Sequence, residues 1–464
     1  MDECGLAIHH PSAPDHAFVH VQDLPRTRSD AKAMAPRSFM SEKPRSLSKR
    51  IQWRAECMVH SAVEWIASAI PGPWVFRAGE TIAGLLWCIM PRRRQVVLRN
   101  LRIAYADEME LAEIRELAKA SFKRSVGNLL SGAHTAGLSP KKLDRVLQIE
   151  NGELLQKFAD QGKGVVILLS HMGNWELLSR LIHFIPEGVQ IGGMYRPLNN
   201  PYMDERVRVR RQADGSRMFS KRDPFHQITG FLREGGIVGV LADQRVGKNG
   251  DRIQFFGRVT KASPLPSLLA RRAKAEVVAL SLKSSEPGKW KANFRHLDSK
   301  PTTEHCMMAL EDAMRESPQD VFWLQERWKV RLGPGHDLGD LLDGEKSDKG
   351  KSHRALLWLN GGGDAAEISP IWHQPDVVYE VAKEPGASMP PWLPDETEEH
   401  AIEHASVKSC RRCLKAIDEM QTLPLDFVLA TEFSRELWAA CKKECIPLYI
   451  QDGDRVGLPR MAQV

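Results

Sequence analysis

The chain has 464 residues, 42% of them hydrophobic and 27% charged, which excludes collagen-like, mucin-like and wholly disordered classes. Eight cysteines over this length exclude a disulfide-dense small scaffold, because ample core-forming sequence is present. The net charge of +6 is unevenly divided: residues 353–464 hold 11 Lys/Arg and 18 Asp/Glu, a net of −7, which leaves +13 on residues 1–352.

Residues 1–48 lack an apolar signal core and read as a disordered basic leader, with Met40 an alternative start. Residues 50–105 hold two helix-like stretches, "AECMVHSAVEWIASAI" and "WVFRAGETIAGLLWCIM", followed by "PRRR". Trp65, Trp74 and Trp87 beside Arg92, Arg93 and Arg94 fit helices lying in a membrane interface, and equally a hairpin packed on the main domain. No run of 18 apolar residues occurs, so no membrane span is expected. Residues 109–136 predict an amphipathic helix.

From there strands and helices alternate. "GVVILLS", "VQIGGMYRP", "GIVGVLADQ" and "AEVVALSLKS" predict strands, and "FWLQERW" is strand-like. "NWELLSRLIHFI", "DERVRVRRQA", "PFHQITGFLREG", "LPSLLARRAK" and "TEHCMMALEDAMRESP" predict helices between or after them. This pattern specifies an α/β fold, a sheet covered by helices. Residues 335–353, rich in Gly, Asp and Lys, read as a linker. Residues 354–464 read as a second, smaller α/β domain, so the main domain spans 49–334. Cys410/Cys413 and Cys441/Cys445 have zinc-like spacing, but both pairs fall in helical stretches where three or four residues mark one face, so no metal is expected.

The chemistry-bearing stretch is "VVILLSHMGNWELLSRL" at residues 165–181, where an apolar strand runs into His171. A strand end in an α/β sheet is where function collects. His171 is a candidate general base, and Glu176, brought round by the turn at Gly173, is a candidate to orient it. "LLSHMGNWELLSRL" resembles the signature block of the bacterial lipid A biosynthesis acyltransferases. Further blocks resemble that family in order: "MYRPLNNPYMDERVRVRRQ", "REGGIVGVLADQRVGKNGDRIQFFGRV" and "ESPQDVFWLQERWKVR", over residues 50–333 in all. Gln325 stands where the family typically has His.

The resemblance implies a mixed sheet covered by helices, as in glycerolipid acyltransferases, with interfacial N-terminal helices and no cofactor. It implies acyl transfer from an acyl carrier protein thioester, or coenzyme A, to a hydroxyl of a lipid A precursor of the Kdo-lipid IVA kind. His171 would deprotonate that hydroxyl and Glu176 would stabilise the imidazolium. Asn174, Arg196, Arg210, Asp243, Gln244 and Arg327 would bind substrate, and Phe256 and Gly257 would shape the acyl pocket or its lid. The basic excess would then face phosphates, anionic lipid or acidic carrier protein at the cytoplasmic face of the inner membrane, and no nucleic acid. The tail, with Asp364 and Glu367 after the glycine run at 361–363, faintly resembles the N-terminal, Rossmann-like half of Kdo transferase and reads as an accessory unit.

Overall fold

The computed structural model describes residues 46–457 apart from 221, 247–249, 329–350, 361–376, 403–405 and 453–454. Most of the expected leader and linker, the 361–363 glycine run, Asp364 and Glu367 therefore lie outside the described residues.

Four helices come first: α1 (Leu47–Ala69), α2 (Gly72–Ile89), α3 (Pro91–Tyr105) and α4 (Leu111–Ala136). The region expected to hold two helices thus holds three, because Pro91 restarts the chain at a position where its missing N–H is harmless. The basic "PRRR" is the first turn of α3. At the start of α4, Glu110 and Glu113 form a reciprocal capping box. α2 packs on α4 through two glycines: a Cβ on Gly79 would lie 2.7 Å from the Gly127 Cα.

The chain continues through α5 (Pro140–Leu143), β1 (Leu147–Glu150), α6 (Glu153–Asp160) and β2 (Val165–Leu169). A 3-10 helix over Trp175–Phe184 leads to β3 (Ile191–Tyr195), α7 (Pro201–Gln212), β4 (Arg217–Ser220), α8 (Phe225–Arg233) and β5 (Ile237–Leu241). The hairpin of β6 (Asp251–Phe255) and β7 (Arg258–Ala262) precedes α9 (Leu265–Ala273), β8 (Glu276–Glu286), β9 (Lys289–His296) and α10 (Thr303–Arg315).

Seven of these strands make one mixed sheet in the order β1-β9-β8-β2-β5-β3-β4, parallel except for β8 with β9. β2 is apolar throughout because both of its faces are covered. Val166 and Leu168 join a core with Phe122, Leu269 and Leu310, while Val165 and Ile167 join one with Phe158, Leu177 and Leu181.

Two expectations about local structure change. The helix after β2 winds as 3-10, a form in which Leu178 and Leu181, three apart, sit one above the other and are both buried. "FWLQERW" forms no strand: Val321, the residue before it, makes a single bridge with Met172, and the segment then turns. Its carbonyls at Trp323 and Gln325 accept from the Asn100 amide at 2.7 and 2.6 Å, and so are not offered to a strand.

A second sheet follows, built from β10 (His353–Leu359), β11 (Val377–Lys383), β12 (Glu399–Ala401), β13 (Leu425–Ala430), β14 (Leu448–Asp452) and β15 (Arg455–Gly457). Its order is β12-β11-β10-β13-β14-β15, parallel except for the last pair, with α11 (Val407–Met420) and α12 (Arg435–Glu444) as crossovers. Cys410 and Cys441 are buried against Leu414 and Leu437 in its core. Burial pushes the Cys410 and Cys413 thiols up to about 11, as suits side chains packed in a core.

Buried charge joins the two sheets. Asp426 of β13 accepts from Arg99 of α3 at 2.7 Å, from Arg258 of β7 at 2.5 Å and from His353 at 3.1 Å. Burial opposes the Asp426 charge, but Arg258, His353 and Arg99 outweigh it and hold the carboxyl far below its ordinary range. Arg102 of α3 enters the C-terminal end of α11, bonding Asp418 at 2.5 Å and the Gln421 and Thr422 carbonyls at 2.9 and 2.7 Å. The end of α11, with Gln421 as its cap, is where a cation is favoured.

Candidate active site

β2 and β5 are adjacent and parallel, with Leu169 opposite Leu241. His171 and Asp243 each lie two residues beyond that pair, so the register itself brings them side by side. The Asp243 carboxylate accepts from His171 Nδ1 at 2.7 Å, from the His171 backbone N–H at 3.1 Å and from Arg327 Nη2 at 2.6 Å. Asp243 and Arg327 are almost fully buried, and His171 keeps 14% of its side chain exposed. Burial disfavours the Asp243 charge, yet His171 and Arg327 overcome that and hold its carboxyl far below its ordinary range. The His171 ring packs edge-on to Trp175, which packs on Phe322.

Glu176 was expected to orient His171, and the geometry corrects this. Its carboxylate accepts from Arg211 Nη2 at 2.6 Å and Nε at 3.2 Å, and from Arg210 Nη2 at 3.3 Å. Burial would raise its pKa, but Arg211 and then Arg210 outweigh burial and lower it. Five residues from His171, in the first turn of the 3-10 helix, Glu176 faces α7, while the strand register has already supplied Asp243 to the imidazole. Arg210 also pairs with Glu64 of α1, so it ties α7 to α1 and to Glu176.

The other expected residues do not all meet at the imidazole. Gln244 stands at the site, its amide 3.4 Å from His171 Nε2, and Arg327 supports Asp243 while donating to the Phe322 carbonyl at 3.1 Å. Arg196 is exposed just past β3. Asn174 is buried and donates to the Thr135 hydroxyl of α4 at 3.0 Å, where Gly132 leaves room: a Cβ there would lie 3.3 Å from both Asn174 Oδ1 and Glu176 Cβ. Phe256 and Gly257 do not line the cavity beside Gln244. They form the tight β6–β7 turn, with φ of 52° and 74°, and the Phe256 ring is fully buried among Tyr105, Phe255, Trp323 and Trp328. An aromatic ring at a positive-φ position is retained because that cluster rewards its burial.

Trp175 carries no signal in the sequence, whereas Arg211 stands there in the basic run with Arg206, Arg208 and Arg210, a candidate surface for phosphate, anionic lipid or acidic carrier protein. The basic run in α7 was visible, but which of its arginines meets Glu176 depends on how α7 packs.

An imidazole held by a buried carboxylate on Nδ1, with Nε2 on the open side, is the arrangement of a general base for a hydroxyl. The same arrangement occurs on unrelated folds, so the reaction class needs a second observation. A family model for bacterial lipid A biosynthesis acyltransferase matches residues 42–330. The chain belongs to that family. It is 25% identical over 280 residues to the lipid A biosynthesis lauroyltransferase of Escherichia coli (strain K12), covering 58% of this chain and 90% of that protein. It is 21% identical over 275 residues to the lipid A biosynthesis acyltransferase of Haemophilus influenzae, covering 57% and 86% respectively. The protein is thus an acyltransferase of the lipid A biosynthesis type, and the second sheet lies beyond the family match.

Proposed function

We propose that this acyltransferase moves a fatty acyl group from a thioester of acyl carrier protein or coenzyme A to a hydroxyl of a lipid A precursor such as Kdo-lipid IVA. The observation that carries the reading is the His171–Asp243 pair at adjacent parallel strand ends within a matched family segment. His171 Nε2 takes the proton of the acceptor hydroxyl as its oxygen attacks the thioester carbonyl. Asp243 positions the ring and stabilises the imidazolium that forms, and the tetrahedral intermediate collapses by expelling the thiol leaving group, which receives the proton. Glu176 fixes Arg210 and Arg211, whose charges suit a phosphorylated sugar.

Membrane association is supported by the apolar faces of α1 and α2. Met58, Val59, Trp65 and Ile66 are exposed on α1, and Trp74, Leu85 and Ile89 on α2, large apolar and aromatic side chains of the kind an interfacial helix presents. No helix among the described residues is long and apolar enough to cross a membrane, so the reading is insertion into one leaflet, at the cytoplasmic face of the inner membrane. The strand order of the second sheet supports reading it as a Rossmann-like accessory unit.

The test is transfer of a labelled acyl group from acyl carrier protein to Kdo-lipid IVA by membranes holding the full chain, beside His171→Ala. Wild-type transfer with at least a hundredfold loss in a folded His171→Ala variant is expected. Full activity of that variant refutes the base, and activity confined to another glycolipid refutes the acceptor.

A further inference from the structure

A cavity of about 1240 Å³ lies beside the reactive end of the first sheet. Gln244, Phe322 and Arg327 line it on the side of His171 and Asp243, and Leu86, Phe122 and Val126 give it an apolar lining from α2 and α4. Part of its wall comes from the second sheet's unit: Cys441 and Lys442 of α12, then Cys445, Ile446 and Pro447 in the turn to β14. Those residues are over a hundred positions past residue 330, where the family match ends. Arg92 and Arg93, at the start of α3, also line the cavity and are exposed.

We propose that the C-terminal unit completes the acyltransferase's own substrate cavity, with Lys442, Arg92 and Arg93 binding a phosphate of a lipid-chain-bearing substrate. The inference rests on the acyl-transfer reading above and adds to it a site outside the family segment. Three observations support it. The lining offers apolar side chains for a chain and several cations for an anion, with Glu326 the one carboxylate among the lining residues, as suits an amphipathic phosphate ester. The wall is fixed in place, because Asp426, Arg258 and Arg102 are buried ions paired across the two units, with Arg99 and Asp418 as partly exposed partners, and separation would strand the buried charges. Finally, the Lys442 ammonium lies 4.7 Å over the Trp438 ring, which keeps the charge in one place before a ligand arrives. The phosphate has two chemical sources, the phosphopantetheine arm or nucleotide of a thioester donor and the phosphorylated sugar of the acceptor.

The test uses the full chain with Lys442→Glu, Lys442→Arg and Arg412→Glu, in the transfer assay with donor and acceptor varied separately. Arg412 is an exposed residue of α11 that does not line the cavity, so its reversal changes net charge equally without touching the site. Lys442→Glu is expected to raise one KM about tenfold or more with little change in kcat, since a charged hydrogen bond is lost. Lys442→Arg restores most of the affinity and Arg412→Glu leaves both KM values alone. A shift in the donor KM alone assigns the phosphate to the donor, and a shift in the acceptor KM alone assigns it to the acceptor. Unchanged KM values in Lys442→Glu, or equal shifts in Arg412→Glu, overturn the proposal. Wild-type transfer with loss in His171→Ala would show that acyl transfer stands even so.

Discussion

Asp243→Asn separates the observed geometry from the pairing expected from the motif. The Asp243 carboxylate touches the imidazole at 2.7 Å and Arg327 at 2.6 Å, inside the protein. Once His171 is protonated during the reaction, two unit charges 2.7 Å apart attract by about 6 kcal/mol at an effective dielectric constant of about 20. An asparagine keeps the size but only a dipole, and its NH2 group must face either His171 or Arg327. Facing His171, it leaves the proton on Nε2, the wrong tautomer for a base. A loss of about 4 kcal/mol in transition-state stabilisation is expected, or about a thousandfold in kcat. Stability also falls, by about 3 kcal/mol, because Arg327 loses its buried counter-charge. The assay is initial acyl-transfer rate at saturating donor and acceptor, below the melting onset of both proteins, with Glu176→Gln alongside. Glu176→Gln is expected to change kcat by less than about tenfold, since its partners are Arg211 and Arg210. A folded Asp243→Asn enzyme within tenfold of wild type, or a larger kcat loss in Glu176→Gln, refutes this reasoning.

The paired change Trp65→Glu with Trp74→Glu puts two charges on the exposed apolar faces of α1 and α2 and should release the protein from anionic vesicles in a sedimentation assay, with its melting temperature kept; unchanged vesicle binding would count against insertion. Asp426→Asn should cost about 3–5 kcal/mol of stability at neutral pH, because Arg258 and Arg99 lose a buried partner. The folded Asp426 carboxyl titrates below its unfolded value of about 3.9, so its ionisation stabilises the fold above that pH and the contribution decays as pH falls through the folded value. The gap between wild type and variant in denaturant melts should therefore narrow below about pH 4, and a constant gap down to pH 3 would exclude the linkage.

Much of this molecule can be read from periodicity. The strands at 165–169 and 237–241 are apolar runs of strand length bounded by breakers, the strand at 353–359 carries such a run after His353 and Arg354, and tertiary packing did not override them. The hairpin β6–β7 was missed because its turn uses Phe256 at positive φ where a glycine or asparagine pair would have signalled it. His171 was legible as a strand-end residue, but its partner was not. A motif counts separation along the chain, whereas the partner is set by register between neighbouring strands. "VVILLSH" and "IVGVLAD", aligned from their first valine and isoleucine, place His171 beside Asp243, and only knowledge that β2 neighbours β5 selects that alignment. The docking of the second sheet was equally hidden, since Arg99 and Arg102 find their partners more than 300 residues away.

The glycine contacts of α4 have a consequence for how reaction rates should be measured. Gly127 meets α2 and Gly132 meets Asn174 and Glu176, five residues apart on one helix, or about 7.5 Å along its axis. The helix that carries Trp74 and Leu85 is thus separated from the loop after His171 by little more than one turn of a rigid rod. If α2 is seated in a leaflet, as proposed above, α4 would hold the loop after His171 at a fixed, short distance from that helix. An acceptor can then react without leaving its leaflet, and encounter becomes a search in two dimensions. Rates should follow the acceptor's mole fraction in the surface, so adding inert lipid at constant total acceptor should slow the enzyme by surface dilution alone.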